Sequence, residues 1–401
     1  MKRLFIYLLT LLVASSLGCT KSGLNPGKDS SLADAPWVDD ESMPVPIQFD
    51  GGRYGVTQTK AGKITTLEGV NFGVLGLDAS KASEWDTTDG PEALLLLNKK
   101  ATIRTNKVGD SRFDPDIADD AVIVKFLDNN DQEVTYYYPV YSRFNYTFYG
   151  YHTTEDDNGT EPALTKDGDA YYVTNIPIGA RDILWAKAEA TDYELSGTTY
   201  KGFNSKYIRN ARKENATNPG FYAAHLPQFE FAHKTAHIHF NVRAEDAYSA
   251  GTFKVGDDEK LKVKSITLSA TDLPTKAKLN VLDGTLTATE TADTGITLSS
   301  TPYCPTDYSD EGVEFGDGLF IAPGYYAMKL TLTLEEPNWD ETATLDLPIP
   351  THGDEAYGFK PGIEYTYTIT IKSLETQTIG VALTGWSGYT GDFTIPQPVI
   401  E

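Results

Sequence analysis

The segment Tyr326–Leu334, YAMKLTLTL, alternates apolar and polar residues with a period of two. An extended strand puts such residues on opposite faces, so one face can be buried and the other left in water. Tyr365–Ile371 (YTYTITI) and Thr378–Leu383 (TIGVAL) repeat the pattern. Along the rest of the chain, β-branched or alternating runs recur every ~10 residues between Gly, Asp, Asn and Pro. Ala121–Leu127 and Glu133–Val140 flank DNNDQ and predict a hairpin. Leu279–Leu282 and Thr285–Thr289 flank Asp283-Gly284, a pair suited to a two-residue hairpin turn. Ser205–Ala216 (SKYIRNARKENA) is the one helix-like stretch, and DGPEALLLLNK suits either a helical turn or a buried strand. The pattern predicts an all-β fold of sandwiches rather than an α/β fold.

At ~100–200 residues per domain, the 401 residues suggest two or three domains. A break near AAHLPQFEF gives an N-terminal unit over 44–225 and a C-terminal unit over 226–401. The 40% hydrophobic and 11% aromatic content is enough for real cores. With 34 basic and 57 acidic residues the net charge is −23, which argues against nucleic acid and against electrostatic docking on anionic lipid.

The first 18 residues read as a secretory signal. Lys2 and Arg3 precede an apolar run, Leu4–Gly18, too short to span a membrane. Cys19 follows at once, in SSLGC, and reads as a lipid attachment site; residues 19–43, rich in Gly, Pro, Ser and Asp, read as a tether. Cys304 is then a lone thiol, expected to be a small buried hydrophobe.

Phe231–Phe240, FAHKTAHIHF, holds His233, His237 and His239. On a strand, Ala236, Ile238, Phe240 and Val242 face the core, while His237, His239, Asn241 and Arg243 face away. A zinc site needs a third and usually a fourth ligand, and no Asp, Glu or Cys stands nearby at a matching spacing. The stretch is therefore read as the first strand of the second domain, with no metal. The acidic runs Asp114–Asp120 and Glu155–Gly159 lack the spacing of a calcium loop and are read as solvated. No hydrolase, metalloprotease or phosphate-loop motif is present, so neither an enzyme nor a cofactor is expected. The aromatic band Tyr136–Tyr151 could stack on sugars or cover a sheet. With the lipid site, it motivates one alternative: a surface glycan-binding lipoprotein that does not polymerise.

Several segments follow one another along the chain: the first strand VPIQF, TKA (Thr59–Ala61), GVNFGVLGL (Gly69–Leu77) and YTFYGYH (Tyr146–His152), then ARDILWAKAEA (Ala180–Ala190), FAHKTAHIHFNV, KPGIEYTYTITI (Lys360–Ile371) and TGWSG (Thr384–Gly388). In this order they resemble the fimbrillin-like family of type V pilins and their accessory subunits. The resemblance implies two transthyretin-like β-sandwich domains in tandem, export as a lipoprotein to the outer membrane and cell surface, and no catalysis. It also implies that a trypsin-like protease removes the first strand and that a neighbouring subunit's strand fills the groove. Partners would be other pilus subunits, the outer membrane through the lipid, and host or bacterial surface ligands.

In this chain the displaced strand would present Val45, Ile47 and Phe49 on one face. Arg53 and Lys60 are the candidate cleavage residues, Lys60 standing where the family often has Thr-Arg-Ala. At the other end Phe393, Ile395 and Val399 form a candidate donor strand. Pro396 and Pro398 cannot donate backbone hydrogen bonds, so the tail also fits an edge strand of its own domain.

Overall fold

The computed structural model describes residues 44–50, 68–78, 94–113, 119–140, 145–154, 159–189, 192–195, 198–201, 203–215, 217, 221–292, 295–336, 339–346, 351–352, 355–356, 358–373 and 376–385. It is all-β, with three short helices among the described residues.

In the second half the period-two pattern does what it predicts. Ala236–Ala244 pairs in parallel with Ile363–Ser373, which pairs antiparallel with Thr376–Gly385. Val313–Glu314 and Leu319–Ile321 complete this sheet on the other side of Ala236–Ala244. A second sheet runs in the order Ile296–Tyr303, Lys262–Ser269, Lys329–Glu336, Trp339–Asp346. The inward residues of the two sheets form one core: Ile238, Phe240, Val242, Tyr367 and Ile369 meet Val263, Ile266, Leu268, Leu330 and Leu332. Cys304 is buried against this core, as expected for a small hydrophobe, and its thiol donates to the carbonyl of Phe253.

The first half departs from simple alternation. Its main sheet runs Ala232–His233, Leu184–Ala188, Tyr146–His152, Asn71–Asp78, Leu94–Thr105, Val122–Leu127, Phe49–Asp50. Every residue of Asn71–Asp78 and of Tyr146–His152 is buried, because both faces of the sheet are covered. One face, carrying Phe72, Val74, Tyr146 and Phe148, packs under the helix Ser205–Asn215 through Tyr207, Ile208 and Ala211. The other face, carrying Leu75, Leu77, Tyr149 and Tyr151, packs on a second sheet. DGPEALLLLNK resolves in favour of a strand, Leu94–Thr105, for the residues described.

That second sheet joins strands from both halves of the chain. Its order is Leu286–Thr291, Pro274–Asn280, Ala170–Pro177, Thr165–Asp167. The hairpin Pro274–Thr291 thus leaves the second half and completes the first, with Tyr172 opposite Asn280 and Val173 opposite Leu279. Leu226, Phe229 and Phe231 also pack in the first core. The chain therefore crosses the expected division at 225/226 twice. Alternation shows which face of a strand is apolar, but not which half of the molecule supplies the apolar surface opposite.

The turn of this hairpin is longer than its Asp-Gly pair suggested. Leu279 faces Leu286, and the loop begins at Val281, whose N–H goes to the carbonyl of Tyr171. The Asn280 side chain accepts from Leu282 N–H at 3.0 Å, and the Val281 carbonyl accepts from the Trp185 indole at 2.7 Å. Contacts with the first half thus take up both backbone groups of Val281, and Leu282 turns back onto its own hairpin. Gly284 sits at φ +72°, where a Cβ would lie 2.5 Å from the Trp185 ring.

The hairpin after Val122–Leu127 forms as predicted, with Phe126 opposite Val134. Its second strand stops there, and Tyr137–Tyr138 pairs instead with Val45–Pro46. No helix among the described residues is long and apolar enough to cross a membrane.

Candidate functional site

The first strand lies at the edge of the first half. It divides between two partners, with Val45–Pro46 on Tyr137–Tyr138 and Phe49–Asp50 on Val122–Leu127. Ile47 N–H donates to the Tyr136 carbonyl at 2.8 Å. Pro46 has no N–H to give, so the backbone attachment is thin. The side chains are attached far more firmly. Val45, Ile47 and Phe49 are 2%, 4% and 1% exposed, and all three belong to the first core. Phe49 stacks on Phe229 at 4.8 Å between ring centres and meets Phe148 and Phe126 edge-on at 5.0 and 5.8 Å. The Gln48 side chain accepts a hydrogen bond from the Tyr222 hydroxyl. Burying each large apolar side chain contributes about 1.5–3 kcal/mol. The strand is thus held mainly by side chains in a cleft, and only lightly by its ladder.

The sequence reading placed Val45, Ile47 and Phe49 on one face, and the structure brings them together in that cleft. Phe229 was missed as the floor of the cleft, because it lies in a segment read as a boundary; FEF, two aromatics spaced by two, was the available signal. Arg53, Lys60, Cys19, Phe393, Ile395 and Val399 lie outside the described residues, as do Asp114–Ala118 and Glu155–Asn158 of the acidic runs. The aromatic strand Tyr146–His152 is wholly buried, so it presents no platform for sugar.

The histidines occupy two places. His233 pairs its Nδ1 with Asp182 at 2.6 Å, on the short strand beside Leu184–Ala188. His237 and His239 share the outer face of the second half's first sheet, with ring centres 3.9 Å apart. The carboxylate that the sequence did not offer nearby comes from the neighbouring strand: the parallel register sets Glu364 opposite His237. Glu364 Oε2 is 3.8 Å from His237 Nδ1, and its Oε1 is 3.6 Å from His239 Nε2. Each residue offers a ligand atom, and the three atoms lie within 4.8 Å of one another. Alternation marks Glu364 as outward-facing, but its pairing with His237 depends on a register across more than a hundred residues, which local spacing does not carry.

A second buried carboxylate lies at the end of the aromatic strand. Glu161 accepts from the N–H and hydroxyl of Thr153, and one of its oxygens is 3.5 Å from His152 Nδ1. Burial pushes its pKa up to about 7, against the lowering effect of the Thr153 bonds.

Two layered β units joined by a crossing hairpin, with a first strand held in an apolar edge cleft, define a multi-sheet all-β protein. A family model for fimbrillin-like proteins matches residues 82–386. The chain belongs to the fimbrillin-like family. Comparison with curated proteins found no match. Among solved structures, a fimbrial protein from Bacteroides vulgatus is similar at 16% identity and TM-score 0.47, over 85% of this chain and 99% of that one. A protein of Bacteroides uniformis assigned to cell adhesion is 18% identical with TM-score 0.46, covering 86% of this chain and 98% of that one. The tip fimbrial protein Mfa3 from Porphyromonas gingivalis, with a C-terminal truncation, is 7% identical with TM-score 0.34, covering 86% and 99%.

Proposed function

We propose that this chain is a fimbrial subunit or adhesin of the cell surface, exported as a lipoprotein on Cys19 and assembled by donor-strand exchange. The family supports the fimbrial role and speaks for structure and adhesion rather than catalysis. In this reading the two units are elaborated transthyretin-like sandwiches, and the partners are other pilus subunits.

One observation carries the exchange mechanism: the first strand combines deep side-chain burial with a thin, divided ladder. A strand so placed can be replaced by another that offers the same apolar knobs. A cut after Arg53 or Lys60 would break the covalent link between the first strand and the body, leaving only noncovalent contacts. An incoming strand that also completes the ladder would then compete on better terms. Phe393, Ile395 and Val399 form the candidate donor, a period-two face like that of Val45, Ile47 and Phe49 but interrupted by Gln397.

The test is limited digestion of the purified chain with a trypsin-like protease, followed by N-terminal sequencing and size-exclusion chromatography. The expected product begins at Tyr54 or Ala61 and elutes as oligomers. A chain that stays uncut, or is cut there yet remains monomeric with its first strand retained, sinks donor-strand exchange for this subunit.

A further inference from the structure

The face formed by His237, His239 and Glu364 has a use that fimbrial assembly does not require. We propose that these three residues bind one zinc ion, which clips the strand Ala236–Ala244 to the strand Ile363–Ser373.

The ligand set comes from strand geometry. His237 and His239 are two apart, so they project from the same face. The parallel partner brings Glu364 to the same row, opposite His237. Zinc takes nitrogen and carboxylate oxygen at about 2.0–2.2 Å, so neighbouring tetrahedral ligands stand about 3.4 Å apart. The two nitrogen–oxygen distances here, 3.8 and 3.6 Å, are close to that spacing. All three ligand atoms fall within 4.8 Å, so small side-chain adjustments close the set around one ion.

The surroundings orient both rings for the task. His237 Nε2 lies 3.2 Å from the Asp317 carbonyl, which can only accept. The proton of a neutral ring therefore sits on Nε2, and the Nδ1 lone pair is directed to the Glu364 side. His239 Nδ1 lies 2.9 Å from the Glu314 carboxylate, which places that ring's proton on Nδ1 and its lone pair on Nε2, again toward Glu364. A second partner of this kind is what fixes tautomer and orientation in histidine–metal sites. Phe320 stacks on His237 at 4.2 Å between ring centres. Gly318, at φ +78°, brings its turn so near that a Cβ would stand 2.5 Å from His237 Nε2. The Asp317 carbonyl is thereby pressed onto the ring.

Access and ligand type set the metal and its role. The side chains of His239 and Glu364 are 14% and 18% exposed, whereas His237 Nδ1 and His239 Nε2 are themselves buried, so an ion would reach the two nitrogens past the carboxylate. Two imidazoles with one carboxylate suit zinc and other first-row metals that take nitrogen, where an all-oxygen set would suit calcium or magnesium. All three ligands lie on neighbouring strands of one sheet, so the ion acts as a clip across the parallel pair.

The experiment uses the chain without an affinity tag, stripped with chelator and titrated with zinc chloride by calorimetry, with metal content read by mass spectrometry. The expected result is one zinc per chain and a rise of several degrees in melting temperature that chelator reverses. His239→Gln and Glu364→Gln are expected to lose stoichiometric uptake. Glu314→Ala, which removes only the ring's second partner, is expected to weaken binding by about 10–100-fold. Circular dichroism establishes that each variant is folded. Cobalt in place of zinc gives a visible absorption band whose intensity reports the coordination number. A wild-type chain with no stoichiometric uptake overturns the proposal. So does uptake that survives unchanged in folded His239→Gln and Glu364→Gln.

Discussion

The two halves of the molecule solve the same packing problem differently. The second half is a two-layer sandwich whose core comes from its own strands. The first half has a central sheet buried on both faces, and it depends on two pieces attached by unusual means: a first strand at its edge and a hairpin sent from the second half. The three-layer unit draws part of its two cores from those pieces, so loss of either uncovers apolar surface. That difference sets the strand that the proposed exchange would replace in the first half.

The largest expected effect follows from removing the first strand. A chain starting at residue 51 lacks Val45, Ile47 and Phe49, a loss of about 5–9 kcal/mol by burial. This is comparable with the whole stability of a domain, about 5–15 kcal/mol. The expected outcome is a first half that binds a hydrophobic dye and melts early, and a peptide PVPIQFD supplied in trans restores its melting temperature. Failure of the peptide to restore it would mean that the cleft does not persist without its strand.

A smaller effect is expected from Leu279→Ala on the crossing hairpin. Leu279 is fully buried, and such truncations cost about 2–5 kcal/mol. Hydrogen exchange should speed in Asn71–Asp78 while Ala236–Ala244 stays protected. Equal loss in both would show that the halves unfold as one unit and that the contrast between them is only architectural.

The smallest effect concerns Glu161, whose pKa is raised from 4.5 to about 7 by burial. The folded state holds the proton more tightly than the unfolded one. Its stabilising contribution is therefore fully present below about pH 4.5 and lost as pH rises through 7, by up to about 3 kcal/mol. Glu161→Gln, which cannot ionise, should flatten that part of the stability profile. Urea melts between pH 4.5 and 8 measure it, and an unchanged slope in the variant would assign the pH dependence to other groups.

The sequence carried the parts of this fold that are local. Alternation at Tyr365–Ile371 identified the inward residues, and DNNDQ identified its hairpin. The helix at Ser205–Asn215 was legible because its neighbours carry the strand period and it does not. What was not legible is long-range. Leu279 looks like half of an ordinary hairpin until Val173 is placed beside it, and Glu364 looks like a solvated charge until the parallel register sets it against His237. Of the candidate assembly residues, Val45, Ile47 and Phe49 could be read as one apolar face, but Phe229 beneath them could not. A strand's own pattern contains no address for its floor.

The crossing hairpin also sets an order of events. Tyr172 waits for Asn280, roughly a hundred residues further along, before its strand gains that neighbour. A chain that emerges N-terminus first therefore presents an unfinished first half for most of its passage. Apolar surface around Leu75, Tyr149 and Val173 stays open until the hairpin has followed. That interval is when a stray strand could enter the wrong side of the sheet. Completion of the first half thus reports that the chain has emerged at least through Thr291, and a subunit truncated before the hairpin would be recognisable by the surface it leaves uncovered.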